Sequence, residues 1–507
     1  MSRKHSLLIF FILTKIILQY FLINTGYDLH RDEYLHLDQA RHLAWGYESV
    51  PPFTSWISWI ILQLGNGVFW IKFFPALFGA LTLLVVWKAI EALGGNLFAL
   101  ALGSLAVNFS AIMRLNILLQ PNSFDILCWT YLYFTLLKYI QSGNNKWLKI
   151  AAITFAIGFL NKYNVIFLLL GLVPALLLTE QRKIFSNKYL YYSLILALLL
   201  ISPNLVWQAR NHFPVVYHLK TLSDTQLVNV NRADFVKEQI LFFIGSIFVL
   251  IAALVSFFRY EPFKKYKTFA WAFLFTLLIF IYFKAKGYYA IGLYPIYFSF
   301  GAVYLEKIFS IGWKRYLRPV SIVIILLFFI PLLKIGFPIK GPEGIQQEPG
   351  LLKEFGLLRW EDGKDHALPQ DFADMLGWSE LAVKTDAVYN SIADKKNTLV
   401  LCDNYGQAGA INYYSKHRDI QAVTMNADYI NWFPLDTKEI KNVILVKEAG
   451  DTDRTSERQF FKNVKLSGSI ENKFAREQGT NIYLLDSATT SINAILKEEI
   501  RKRKKER

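Results

Sequence analysis

Two cysteines in 507 residues leave no material for a disulfide-built fold. Cys128 lies in an apolar run and Cys402 in a polar region, a poor match for a bridge, so cysteine usage carries no information about compartment. Charge is scarce as well. Asp, Glu, Lys and Arg make up 19% of the chain against 54% hydrophobic residues, a balance that soluble proteins of this length do not show. The polar segments contain no nucleotide-binding glycine loop, and no repeat of solenoid period is present. The net charge of +16 comes from Lys and Arg scattered between apolar runs rather than gathered on one face. Membrane topology accounts for that excess, and nucleic acid is set aside as a partner.

What the chain does have is a succession of apolar runs long enough to cross roughly 30 Å of hydrocarbon. The first, Ser6 to about Ile23, follows Arg3-Lys4-His5. The stretch Ile23-Asn24-Thr25-Gly26-Tyr27 offers no small-x-small cleavage site, so this run is expected to be an uncleaved span with its N-terminus inside. Further spans are expected near 68–91, 97–113, 123–140, 147–160, 164–179, 189–206, 238–258, 267–283, 288–306 and 318–336, about eleven in all. Alternation then places loops 141–146, 180–188, 259–267 and 307–318 in the cytoplasm. Those loops hold Lys146, Arg182, Lys183, Lys188, Arg259, Lys264, Lys265, Lys267, Lys307, Lys314, Arg315 and Arg318, as the positive-inside rule requires. The acidic stretch 26–52, loop 114–123, the break at 161–164, loop 207–237 and segment 284–289 go to the outer face. So does everything from residue 337 onward.

Beyond Gly336 the composition turns polar and apolar runs shrink to strand length. Segments 397–402, 420–424, 442–447, 464–466 and 481–485 read as strands, and 370–391 and 407–414 as helices between them. The expected organisation is a membrane module over 1–336 with its first outer loop at 26–52, then a linker over 337–350. An outer-face α/β domain follows over 351–490, then a charged tail over 491–507, expected to be disordered over Lys497–Arg507 and to lie on anionic headgroups.

The outer face collects the ionisable residues. Asp28, Asp32, Glu33 and Asp38 fall within eleven positions of the first outer loop. If the centre of that loop is helical, Asp32 lies one turn from Asp28 and from His36, and Pro51-Pro52 ends the helix. The segment is either a solvated loop or a reactive surface. Lys162 sits in a break between two apolar runs, Lys286 precedes Gly287-Tyr288-Tyr289, and Arg114 and Arg210 stand at span ends. Snorkelling explains such cations as well as a wet cavity does, and it is favoured for Arg210. Carboxylates facing cations across a cavity would let Asp32 and Glu33 orient or deprotonate an acceptor hydroxyl, or hold a metal, while Lys162 and Lys286 stabilise a leaving phosphate. Trp45, Tyr47, Trp56, Trp59 and Trp70 read as an interfacial belt. His30, His36 and His42, six apart, do not share a helical face and make a poor metal site.

Five places give the chain a family likeness: Arg31-Asp-Glu-Tyr34 with Gly46-Tyr47 and Pro51-Pro52; Gln120-Pro-Asn-Ser-Phe-Asp125; Gly158-Phe-Leu-Asn-Lys-Tyr163; Lys286-Gly-Tyr-Tyr-Ala290 with Tyr294-Pro295; and Asn404-Tyr-Gly-Gln-Ala-Gly-Ala410, followed by Asn426, Tyr429 and Trp432-Phe-Pro434. In this order they resemble the GT-C glycosyltransferases that use polyprenyl-phosphate sugars, relatives of protein O-mannosyltransferases and the lipid A aminoarabinose transferase. The resemblance implies a mainly α, GT-C-like polytopic membrane protein with a C-terminal soluble α/β domain. It makes Asp32 the first-loop catalytic aspartate with Glu33 as its neighbour. It places Lys162 and Lys286 at the donor phosphate; the residues beside them add Tyr288, Tyr289 and Arg114 as expected phosphate contacts, and Tyr163 and Asn122 as expected substrate contacts. Many relatives carry a second aspartate where this chain has Asn122; Asp125, one turn along, either replaces it or the second carboxylate is dispensable.

The expected function is transfer of a sugar from a polyprenyl (undecaprenyl-type) phosphate carrier to a lipid, glycan or protein acceptor at the outer face of the plasma membrane. A divalent metal stays open as a cofactor. A transporter or flippase with an outer accessory domain is the competing reading, since charged residues at broken helices also mark substrate paths.

Overall fold

The computed structural model describes residues 3–225 and 227–506. Uninterrupted apolar sequence gives long helices, and among the described residues five are long and apolar enough to cross a bilayer. They are Arg3–Phe21, Val68–Ala92, Lys188–Arg210, Glu261–Tyr282 and Gly312–Gly336. Two bent pairs, Val165–Leu177 with Glu180–Ser186 (108°) and Arg232–Phe242 with Ile247–Arg259 (100°), bring the number to seven if each is one span. The protein is a multi-pass membrane protein. The expected count of about eleven also took in Leu97–Asn108, Pro121–Ser142, Lys146–Asn161 and Pro295–Ile308, which form helices but are shorter or more polar. The span expected over 238–258 is broken at 243–246, and the one expected from 288 begins as a tight turn, Gly287–Leu293, before its helix starts at Pro295. Loop 207–237 is largely helical, with Pro214–Thr225 and the start of Arg232–Phe242 inside it.

The bundle has two chemically different ends. At one, Asn187 donates to the Tyr139 hydroxyl (3.0 Å) and to Asn145 Oδ1 (2.7 Å), and Gln141 reaches Ala92 O (2.8 Å) and the Tyr266 hydroxyl (3.0 Å). Glu306 accepts from the Asn96 and Ala99 amides at the same end. The Lys- and Arg-rich loops therefore gather together. The other end carries the acidic first loop, the break at 161–164, segment 284–290 and the C-terminal domain.

That domain is a five-stranded sheet of β1 (Thr398–Cys402), β2 (Ala422–Thr424), β3 (Asn442–Lys447), β4 (Phe461–Ser469) and β5 (Asn481–Ala488), ordered β2-β1-β3-β5-β4. β1 pairs parallel with β2 and β3, while β5 runs antiparallel between β3 and β4. Helices Trp378–Ser391 and Tyr405–Tyr414 pack beside it. The helix expected over 370–391 is split: Gln370–Ala373 stops first, and Gly377, with a φ of +84°, precedes the second piece, Trp378–Ser391. The tail is not disordered. Ile492–Glu506 is a helix whose Ile492 and Leu496, four apart on one face, are buried against Leu399 and Leu485. Arg507 lies outside the described residues.

The first outer loop does not stand apart from this domain. Leu29, Tyr34, Leu35 and Leu37 share one apolar core with Trp378, Leu381, Tyr389 and Ile411. The helix there, Arg31–Gln39, is nine residues long and polar, too short to hold in water alone. Burial of every residue from Glu33 to Gln39 stabilises it, together with a capping box in which His30 and Glu33 exchange bonds. It ends at Gln39, well before the prolines. Pro51 and Pro52 instead open an apolar helix, Phe53–Gln63, that the spacing of long runs did not reveal.

Candidate active site

Asp32 occupies the first turn of the outer-loop helix, and its carboxylate is 37% exposed. Tyr405 of the C-terminal domain donates its hydroxyl to Asp32 Oδ1 (2.7 Å), and Gln120 donates to Oδ2 (3.0 Å). The chain of contacts continues inward. Asn122 donates to Gln120 Oε1 (3.0 Å), and Lys162 Nζ donates to Asn122 Oδ1 (2.7 Å). The Lys162 ammonium then lies over the rings of Tyr289 (4.5 Å) and Tyr288 (5.3 Å). One connected polar path thus runs from the outer domain, through Asp32, to a cation at a break in the membrane helices.

Tyr405 is held there by its own motif. Asn404 caps the helix Tyr405–Tyr414 by accepting from Gln407 N (3.1 Å), and Asn404 and Gln407 both donate to Glu477 (3.0 and 2.6 Å). This helix lies parallel to the outer-loop helix and very close to it. A Cβ on Gly409 would stand 2.6 Å from the Tyr34 Cβ, so only glycine permits the approach. Arg31 stacks on the Tyr405 ring (4.6 Å). Burial alone would raise the Asp32 carboxyl, but the charges of His30 and Arg31 and the Tyr405 hydroxyl bond outweigh it and hold the group below the ordinary aspartate range. Sequence reading missed Tyr405, Gln120 and Arg31 as individuals, although each lies inside a quoted motif.

The other expected residues separate by what they touch. Glu33 is fully buried and saturated: Lys72 Nζ reaches both its oxygens (2.7 and 2.8 Å), and Leu119 N and His30 N donate to it at 2.8 and 2.9 Å. It holds the loop to helix Val68–Ala92 and has no lone pair left for a reacting hydroxyl. Replacing Lys72 by Met leaves a buried uncompensated carboxylate and should cost about 3–5 kcal/mol, while adding Glu33→Gln should recover part of it. Thermal unfolding midpoints in detergent check this; a double variant no more stable than Lys72→Met would refute it.

Asp125 does not join the Asp32 path. Its oxygens accept from Trp129 Nε1 and Asn164 Nδ2, each at 3.0 Å, and Asn164 also donates to Tyr289 O (3.0 Å). It therefore ties the helix break to the Tyr288-Tyr289 segment and positions Lys162. Lys286 donates to Glu361 of the outer domain (2.8 Å), and Arg114 lies 3.8 Å from Asp371 and over the Phe372 ring (5.9 Å). Tyr163 bonds Asn204 (3.1 Å) and Gln208 (2.9 Å) of helix Lys188–Arg210, away from the path. Tyr47, expected in an interfacial belt, is buried, its hydroxyl on Gln39 O and His42 O. Asp28 caps helix Trp378–Ser391 from outside by accepting from Trp378 N (3.0 Å) and Ser379 N (3.1 Å).

Among the described residues no three His, Cys, Asp or Glu side chains come together as a metal-holding group. Asp32 and Asp125 hydrogen-bond to different neutral donors and share no partner, so the residues present do not fit a two-carboxylate metal site.

Residues 49–207 match the family model described as dolichyl-phosphate-mannose-protein mannosyltransferase. The fold is similar to that of ArnT from Cupriavidus metallidurans in two crystal structures, each at 12% identity and covering 97% of this chain and 99% of that one. The TM-score is 0.63 for the form bound to undecaprenyl phosphate and 0.60 for the apo form. No curated protein matches the chain in sequence. The resemblance to GT-C glycosyltransferases read from the sequence is borne out at the level of the fold, including the small C-terminal sheet domain.

Proposed function

We propose that this protein is a membrane glycosyltransferase that moves a sugar from a polyprenyl phosphate carrier to an acceptor hydroxyl at the outer face of the plasma membrane. The observation that carries the reading is the continuous path from Tyr405 through Asp32, Gln120 and Asn122 to Lys162. It sets a carboxylate and a cation at opposite ends of one polar connection in an ArnT-like fold, and one ArnT structure holds undecaprenyl phosphate.

Asp32 orients the acceptor hydroxyl and takes its proton as the oxygen attacks the sugar's anomeric carbon. The bond from that carbon to the carrier phosphate breaks, and the phosphate leaves with the electron pair. Lys162 stabilises the charge that develops on it. Lys162 hydrogen-bonds the neutral Asn122 and feels the Asp125 carboxylate only through space, with no ion pair among the described residues, so its charge is open to an anion. Lys286, already paired with Glu361, supplies less. The Lys- and Arg-rich end of the bundle supports a cytoplasmic placement of loops 141–146, 180–188, 259–267 and 307–318, with the site and the C-terminal domain outside.

Purified protein should be reconstituted in sealed vesicles and given a panel of radiolabelled polyprenyl-phosphate sugars with membrane extract as acceptor. Labelled product is expected only when the C-terminal domain faces the side where acceptor is supplied. No transfer from any carrier would sink the reading.

The Asp32 environment carries its own prediction. Tyr405→Phe removes a hydrogen bond that favours the charged carboxylate, so the acid limb of the kcat/KM profile should shift to higher pH. Activity, which needs the carboxylate, should therefore fall away at a higher pH than in the wild type. An acid limb that stays put would show that Tyr405 does not tune this group.

A further inference from the structure

A second polar site lies at the far end of the same helix pair. The parallel helices Arg31–Gln39 and Tyr405–Tyr414 are joined at one end by Asp32 and Tyr405, and at the other by Asp38, which accepts from Asn412 (2.6 Å) and from Tyr429 (2.7 Å). Six residues separate Asp32 from Asp38, about 9 Å along the helix axis. At the Asp38 end the first outer loop and the C-terminal domain enclose a cavity of about 290 Å³. None of the candidate reaction residues lines it.

Its lining is unevenly satisfied. The Arg41 and Arg418 side chains, from opposite walls, make no ion pair or hydrogen bond among the described residues. The carboxylates nearby are occupied: Asp38 by Asn412 and Tyr429, and Asp419 by the Tyr389 hydroxyl. Arg41 acts on Asp38 through space without bonding it, and burial still pushes the Asp38 carboxyl up to about 6. One wall is flat and aromatic, where Trp432 stacks on His42 with ring centres 4.3 Å apart and planes 11° from parallel. Gln421 pins that wall through Trp432 O (3.0 Å).

We infer that this cavity binds an acidic sugar unit, a saccharide residue carrying a carboxylate or a phosphate, as a distal part of the acceptor. Two unpartnered guanidiniums match the planar, bidentate geometry of such an anion. An aromatic face suits the C–H face of a pyranose ring, and the volume is at the small end for ligand clefts, about right for one sugar residue. The separation from Asp32 is within the span of a short oligosaccharide, so an acceptor seated here could present a hydroxyl of a neighbouring unit to Asp32. That the bound sugar belongs to the acceptor rests on the transferase reading; the binding site itself does not.

The test is binding of digalacturonate, glucose 6-phosphate and neutral galactobiose to the full-length protein in nanodiscs, by saturation-transfer NMR and calorimetry, with undecaprenyl phosphate as a separate ligand. At least one acidic sugar should bind more tightly than galactobiose, and Arg41→Gln and Arg418→Gln should each weaken it by about tenfold or more. Both arginines are exposed, so neither change endangers the fold, and undecaprenyl phosphate binding should be unaltered. Preference between the two acidic probes tells a uronate from a phosphorylated sugar. The inference is overturned if neither acidic sugar outbinds galactobiose, or if binding survives both Arg→Gln changes. Wild-type protein that binds the acidic sugar at these arginines but not undecaprenyl phosphate would keep the site and remove the transferase reading.

Discussion

Asp32→Asn should lower transfer by about 10²–10⁴-fold, the usual cost of losing a group that takes or directs a proton in the transition state. The change is nearly isosteric and the side chain is 37% exposed, so the fold should tolerate it. The substituted amide can still accept from Tyr405 through its oxygen, but its nitrogen would meet the Gln120 amide donor, and the disturbance stays local. The contrast with the adjacent carboxylate is sharp. Glu33 is enclosed by Lys72 and two backbone amides, and its loss should appear first as lost stability. Rates from a radiolabelled donor alongside unfolding midpoints separate the two. Asp32→Asn activity within about threefold of wild type would remove Asp32 from the chemistry.

Lys162→Met should lower kcat by about 10²–10³-fold, the range seen when a charge-stabilising donor is removed from a developing anion. The methionine keeps most of the stem, so what is lost is the ammonium over Tyr288 and Tyr289 and its bond to Asn122. Because phosphate gains negative charge as the sugar bond breaks, the fixed cation acts on the transition state more than on the bound carrier. Binding of a non-hydrolysable polyprenyl-phosphate analogue should weaken by a smaller factor than kcat. Lys286→Met should fall short of Lys162→Met on both measures, since Lys286 is paired with Glu361. Arg210→Met, at an exposed helix end, should change neither. Unaltered analogue binding and kcat in Lys162→Met would return that lysine to a snorkelling role.

Much of the C-terminal domain was legible locally. The expected strands 397–402 and 442–447 fall within a residue or so of β1 and β3, because short β-branched runs between turn residues report their own conformation. The edge was read less well: β4 extends over Phe461–Ser469, and its largely exposed, polar residues hid the strand. The tail failed for a related reason. Lys497 to Arg507 reads as a charge run, yet Ile492 and Leu496 dock it and Glu498–Arg501 and Glu499–Arg503 pairs line the exposed face.

By itself the sequence determined the membrane class, the presence of a small α/β domain and the set of motifs in which a site must lie. These depend on composition and on periodicities of two to four residues, which any stretch of chain expresses without its neighbours. Only the tertiary structure decided which motif residues meet. Asp32 and Glu33 are adjacent and chemically alike, but one reaches Tyr405, 373 positions away, and the other Leu119, 86 positions away. Consecutive residues of a helix point about 100° apart, so the docking of two other elements, not the local sequence, makes one carboxylate open and the other buried.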